Sequence, residues 1–145
     1  MTRRAFTLVE ILIVVVVLGI LASVALPAFT GVTHDSQINA TVTDLQRIRR
    51  HVGVFQARNN MTLPAVEEGL GTWGQVIGRD YLFSSPINHF IGGTDARRII
   101  FRTAPDAEYP SAENYGWIYD PATGDIWAAG FDAQDRELPR GAAPP

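Results

Sequence analysis

A chain of 145 residues with a net charge of −3 and a pI of about 5.5 has room for one domain, and it carries no global basic field of the kind that gathers nucleic acid. It has no cysteine, so a domain exported to an oxidising compartment holds together by packing alone. Apolar content is ordinary at 46%, but much of it lies in the first segment, which leaves the later part of the chain a small core to build.

The chain opens with Arg3 and Arg4, then Phe6, then one carboxylate, Glu10, then an uncharged apolar run from Ile11 to Phe29. A helix through residues 6–29 is about 36 Å long, enough to cross a hydrocarbon core of roughly 30 Å. Basic residues stay on the cytoplasmic side, so Arg3 and Arg4 send the C-terminal part to the far side. Glu10 is the anomaly. A lone carboxylate in such a segment costs roughly 3 kcal/mol on insertion scales, so it calls for a partner and a purpose.

At these residues the chain resembles a family. Ala5-Phe6-Thr7-Leu8-Val9-Glu10 is similar to the processing site of type IV prepilins and of type II secretion pseudopilins. The resemblance implies a leader, residues 1–5, that stays cytoplasmic. It implies that a membrane prepilin peptidase cuts between Ala5 and Phe6, and that Phe6 becomes an N-methylated terminus. It further implies storage as a single-pass protein in a bacterial inner membrane, with the C-terminal domain outside the cytoplasm. An inner-membrane assembly platform then builds subunits into a periplasmic or cell-surface filament with copies of themselves and other pilin-like chains. The family usually has Gly before the cut, where this chain has Ala5. Cleavage would leave an ammonium at Phe6, one helical turn from Glu10, in the same subunit or in a staggered neighbour, and either pairing offsets the cost of a bare charge. Two rival readings exist: a Glu that caps a signal-anchor helix, and an ordinary signal peptide ending after Ala25 or Ala28 that releases a soluble binding module. The second leaves the run too long and Glu10 misplaced.

Pro27 removes a backbone hydrogen bond and predicts a kink with the helix continuing; relatives with a proline here are thought to use local unwinding in filament packing. Beyond Gly31, Ile38, Val42, Leu45, Ile48, Val52 and Phe55 recur at steps of three and four, one stripe of an amphipathic helix. Asn59-Asn60 supplies a stop. One helix is therefore expected from residue 6 to about 58, about 80 Å long. Its halves are residues 6–29, for membrane and filament core, and 30–58, which seat the globular part. Arg47, Arg49, Arg50 and His51 read as a solvated helix face; without an aromatic platform they do not make a nucleic-acid stripe.

Residues 59–145 are expected to form a small α+β domain outside the cytoplasm. Residues 61–71 are loop-like, residues 73–79 allow a short helical turn, and Pro86-Ile87-Asn88-His89 partly matches a connector common in the family. Residues 98–103, 115–119 and 125–129 read as strands, the last two joined by Asp120-Pro121-Ala122-Thr123-Gly124, whose residues have turn chemistry. The expected fold is α+β: a long N-terminal helix, transmembrane in its first half, packed on a small antiparallel sheet as in the pilin-like roll. Trp117, Tyr119 and Trp127 are expected in the core. A tail is expected from about residue 130. Major pseudopilins bind calcium through acidic residues in a C-terminal loop, so Asp132 and Asp135 are the calcium candidates here, against a solvated acidic tail; no other cofactor is implied. The chain has no Gly-x-Ser-x-Gly, no phosphate loop and no His-Glu-x-x-His, and the expected role is structural rather than enzymatic.

Overall fold

The computed structural model describes residues 7–78, 80–110 and 115–140; across residues 23–32 it describes the helical backbone without the side chains. The chain divides into two units, Met1–Ser36 and Gln37–Pro145. Helix α1 runs through Leu8–Arg58, 51 residues, so the long helix expected from periodicity is present. Its end is closed by chemistry rather than by length. Asn60 and Met61 both adopt left-handed backbone, the Met61 N–H donates 2.8 Å to the Gln56 carbonyl, and the Asn59 side-chain amide donates to the Phe55 carbonyl.

In the second unit the helix buries Thr41, Leu45, Ile48 and Val52, spaced four, three and four, while Ile38 and Val42 are partly covered. The apolar members of this stripe join one core with Trp73, Phe90, Ile99, Trp117, Ile118, Tyr119, Ile126 and Phe131. Trp73 stands edge-on to both Trp117 and Tyr119, with ring centroids 6.4 and 6.3 Å apart. Trp117 and Tyr119 are buried as expected, whereas Trp127 is half-buried.

The sheet has four strands in the order β1 (Gly69–Leu70), β2 (Arg98–Phe101), β3 (Trp117–Tyr119) and β4 (Ile126–Ala128). It is mixed, which corrects the expected antiparallel arrangement: β2 pairs parallel to β3, with Ile99 opposite Trp117 and Phe101 opposite Tyr119. The physical reason is the connection. Residues 102–116 are long enough to cross back to the start of the sheet, which a parallel pair requires and a hairpin does not. β3 and β4 form the expected antiparallel hairpin. In its turn the Asp120 carboxylate accepts the Ala122 N–H at 2.8 Å, and Gly124 has φ 83°.

Side chains take backbone groups near both sides of this sheet. Past the end of the two-residue β1, the Phe101 N–H on β2 donates 2.7 Å to the Glu68 carboxylate. At the other edge, the Ile126 carbonyl of β4 accepts two N–H groups from Arg49, at 3.0 and 2.7 Å.

Two buried polar groups tie the elements together. Asn88 is fully buried, and its amide donates to the carbonyls of Gly116 (2.9 Å) and Ala129 (3.0 Å). Its oxygen accepts the N–H groups of Phe90 and Ile91 and the Thr41 hydroxyl of α1, which in turn accepts from the Phe90 N–H. Gly116 also lies against Ala96, whose carbonyl accepts the Asn88 N–H, and a Cβ at Gly116 would overlap that carbonyl. Removing the Asn88 side chain strands several buried groups at once. Asn88→Ala should therefore lose about 3–5 kcal/mol of stability, read as a lowered denaturation midpoint of the detergent-solubilised chain.

The second group is Asp106. It accepts the Tyr115 hydroxyl at 2.6 Å and an Arg102 N–H at 3.0 Å on one oxygen, and the Gly130 N–H at 3.1 Å on the other. Burial, and then the hydrogen bond to Asp106, push the Tyr115 phenol up to about 12 from an ordinary 10.0. Between those values the folded chain holds a proton that the unfolded chain has lost, so stability falls as pH rises through that window. Tyr115→Phe should be less stable at neutral pH, yet its melting temperature should fall less than the parent's between pH 10 and 12.

Candidate functional site

The candidate site is the head of α1. Thr7 precedes the first helical residue, Leu8, and Glu10 lies in the first turn. The two form a reciprocal cap. The Glu10 carboxylate accepts the Thr7 N–H at 2.8 Å and the Thr7 hydroxyl at 2.9 Å, and the Thr7 hydroxyl oxygen accepts the Glu10 N–H at 3.3 Å. A helix leaves its first N–H groups without intrahelical partners, so a carboxylate in this position meets local donors and the positive end of the helix. Glu10 thus has a partner inside its own subunit.

Beyond Glu10 the helix is apolar on every side. Each large apolar side chain from Leu8 to Leu21 is about half exposed or more, from 48% at Val17 to 82% at Leu8. A soluble helix hides one stripe; a helix apolar all round needs hydrocarbon or other helices around it. Among the described residues no helix is long and apolar enough to cross a membrane. The expected span, residues 6–29, includes Phe6 and seven residues, 23–29, whose side chains lie outside that description.

Residues 1–26 match the family model described as the prokaryotic N-terminal methylation motif. The chain is also similar to type II secretion system core protein G of Vibrio cholerae serotype O1, 28% identical over 133 residues that cover 92% of this chain and 84% of the relative. It is 33% identical over 69 residues to the core protein G of Dickeya chrysanthemi, covering 48% of this chain and 44% of the relative. It is 34% identical over 68 residues to that of Klebsiella pneumoniae, covering 47% and 48%. The chain is similar to type IV pilin-like proteins, most specifically over this N-terminal motif. In the Dickeya and Klebsiella alignments it spans less than half the length of the relative. No solved structure gives a significant match.

Of the residues singled out from the sequence, Ala5 and Phe6, the expected cleavage site, lie outside the described residues. Pro27 falls within α1, in the stretch where only backbone is described. Asp132 and Asp135 are near neighbours in one turn, the Asp135 N–H donating to the Asp132 carbonyl at 3.1 Å, but their carboxylates face different arginines. Among the described residues no group of three or more His, Cys, Asp or Glu side chains is placed to hold a metal ion.

Arg49 corrects the picture of a solvated arginine face. It is 31% exposed and reaches across to Asp135 and to the Ile126 carbonyl. Arg47 pairs with Asp44 at 3.3 Å. His51 shares the helix with Arg47 and Arg50, and burial, then these two cations, hold its pKa below the ordinary value. Residues from 130 onward, expected as a tail, are packed as far as residue 140. Phe131 is fully buried and bridges Glu137, the Leu138 N–H donates to the Gly130 carbonyl, and Arg140 donates 2.7 Å to the Phe90 carbonyl while lying over the Phe90 and Tyr109 rings.

Thr7 is the capping residue that charge patterning passes over. The signal was present as Thr7-x-x-Glu10, a capping-box spacing ahead of an apolar run. Thr7→Ala should lose both hydroxyl hydrogen bonds and about 1 kcal/mol of helix-end stability, seen as faster hydrogen exchange confined to the first turns of α1.

Proposed function

We propose that this chain is a structural subunit of a type IV pilus-like filament, specifically a type II secretion pseudopilus. Prepilin peptidase removes residues 1–5, Phe6 is N-methylated, and the subunit waits in the inner membrane with its second unit on the periplasmic side. The observation that carries this reading is one capped carboxylate, Glu10, at the head of a helix that exposes apolar side chains in every direction. The methylation-motif match over residues 1–26 supports it, as does similarity to chains named type II secretion system core protein G.

The mechanism rests on the surface each segment presents. The first unit holds its described apolar side chains outward, so lipid covers them before assembly and neighbouring helices afterwards. Glu10 is capped by a hydroxyl and an N–H rather than by a full charge, which leaves it able to pair with the ammonium of an adjacent Phe6 when subunits stagger. The Pro27 region lets the helix adjust to that packing. The second unit keeps its own core and presents its surface to other subunits and to the assembly platform. The role is assembly, and no catalytic step is assigned.

Two measurements test this. Mass spectrometry of the mature product should find a chain beginning at Phe6 and carrying one methyl group. A start at Leu26 or Phe29, or an intact Met1, would contradict the reading. Glu10→Ala should still insert in the membrane, because it removes a charge that insertion disfavours, but should enter filaments at least about tenfold less, since losing about 1.4 kcal/mol or more of pairing corresponds to that factor.

A further inference from the structure

The resemblance makes Asp132 and Asp135 calcium candidates, against a solvated acidic tail, and the loop of this chain does not fit a calcium ion. Calcium takes six to eight oxygens at roughly 2.3–2.6 Å. Here both candidate carboxylates already accept from three or more nitrogen donors. Asp132 accepts the N–H groups of Gln134 (2.8 Å) and Arg136 (3.0 Å) on one oxygen. Its other oxygen accepts Arg136 Nε at 2.9 Å and pairs with Arg136 Nη2 at 2.8 Å. Asp135 accepts Arg49 Nη1 at 2.6 Å and Gln46 Nε2 at 3.0 Å on one oxygen, and Arg49 Nη2 at 3.0 Å on the other.

We propose that two arginines, and not a metal ion, close the C-terminal loop of this chain: Arg49 of α1 clamps Asp135, and Arg136 clamps Asp132. The clamp is wider than a pair of charges. Arg49 also donates twice to the Ile126 carbonyl, so one guanidinium holds the helix, the last strand and the loop together. A planar guanidinium with parallel donors matches this geometry, which a point charge such as lysine does not. Asp135 holds a left-handed backbone, φ 59°, within the turn that brings its side chain to the helix, and the loop is pinned on either side by Phe131 and by the Leu138 N–H on the Gly130 carbonyl. A calcium ion on these carboxylates would have to displace both guanidinium groups or sit beside them, and the second alternative sets a dication against two fixed cations. The backbone N–H of Arg136, with further help from its side chain, lowers the Asp132 pKa, in keeping with a carboxylate ionised among donors.

The test uses the full chain in detergent micelles and does not depend on filament formation, so failure of the filament reading leaves it standing. Melting is measured in millimolar calcium and in EGTA. The midpoints should agree within about 1 °C, whereas an ion filling a site at a hundred times its dissociation constant would raise the midpoint by roughly 5–10 °C. Hydrogen exchange over residues 126–140 is then followed in Arg49→Gln and Arg49→Lys. Exchange should be roughly tenfold faster in Arg49→Gln, with Arg49→Lys between it and the parent, and calcium should slow neither. A calcium-dependent rise in the parent's midpoint, or exchange in Arg49→Gln equal to the parent's, overturns the proposal. The parent comparison decides the metal question even if the variants fail to fold.

Discussion

The second unit depends on a buried amide. Asn88 is surrounded by groups that each need a hydrogen bond: the carbonyls of Gly116 and Ala129 beside β3 and β4, the N–H groups of its own loop, and a threonine hydroxyl of the helix. An apolar residue of similar size would fill the space and leave those backbone groups unpaired in a dry interior. The amide has two donors and an acceptor, which is what this junction consumes. Helix, loop and the β3–β4 hairpin are therefore held in one arrangement, and hydrophobic burial of Trp73, Trp117 and their neighbours adds strength to a geometry already chosen.

The two units obey opposite rules. In the second, apolar side chains are gathered inward and two buried polar groups are fully engaged, Asp106 with three donors and Asn88 with several. In the first, the described large apolar side chains from Leu8 to Leu21 face outward and the Glu10 carboxylate is turned onto Thr7 of its own chain. The same helix serves both: after Ser36 its apolar residues fall into a stripe, and from Leu8 to Leu21 they surround it. One unit thus buries its apolar side chains, while the described apolar side chains of the other remain uncovered.

The long helix was legible because three-and-four spacing from Ile38 to Phe55 reports a buried stripe directly, and because Asn59-Asn60 is a local stop. The β3–β4 hairpin was legible because Asp120 to Gly124 is a local turn. The motif at Ala5 to Glu10 was legible because charge, Phe and acid occur in one register. What escaped was non-local. β1 is two residues long and has no period to read. The parallel pairing of β2 with β3 is a choice between distant segments. Asn88 looks like a turn residue, because its helix partner, Thr41, is 47 residues away along the chain. Arg49 looked solvated because the carboxylate it meets is 86 residues away. The cap at Thr7 was written in the sequence but lay beneath the stronger question of why a carboxylate is there at all.

The side-chain contacts near both sides of the sheet have a consequence for polymerisation. A bare strand edge is a template, and a protein concentrated in a fibre exposes many copies of it to one another. Glu68 takes the hydrogen that a fifth strand would seek beside Phe101, and the Arg49 fork takes the oxygen such a strand would seek beside Ile126. Each contact removes a hydrogen-bonding group that an added strand would otherwise use, and so lessens the tendency of this sheet to grow by strand addition.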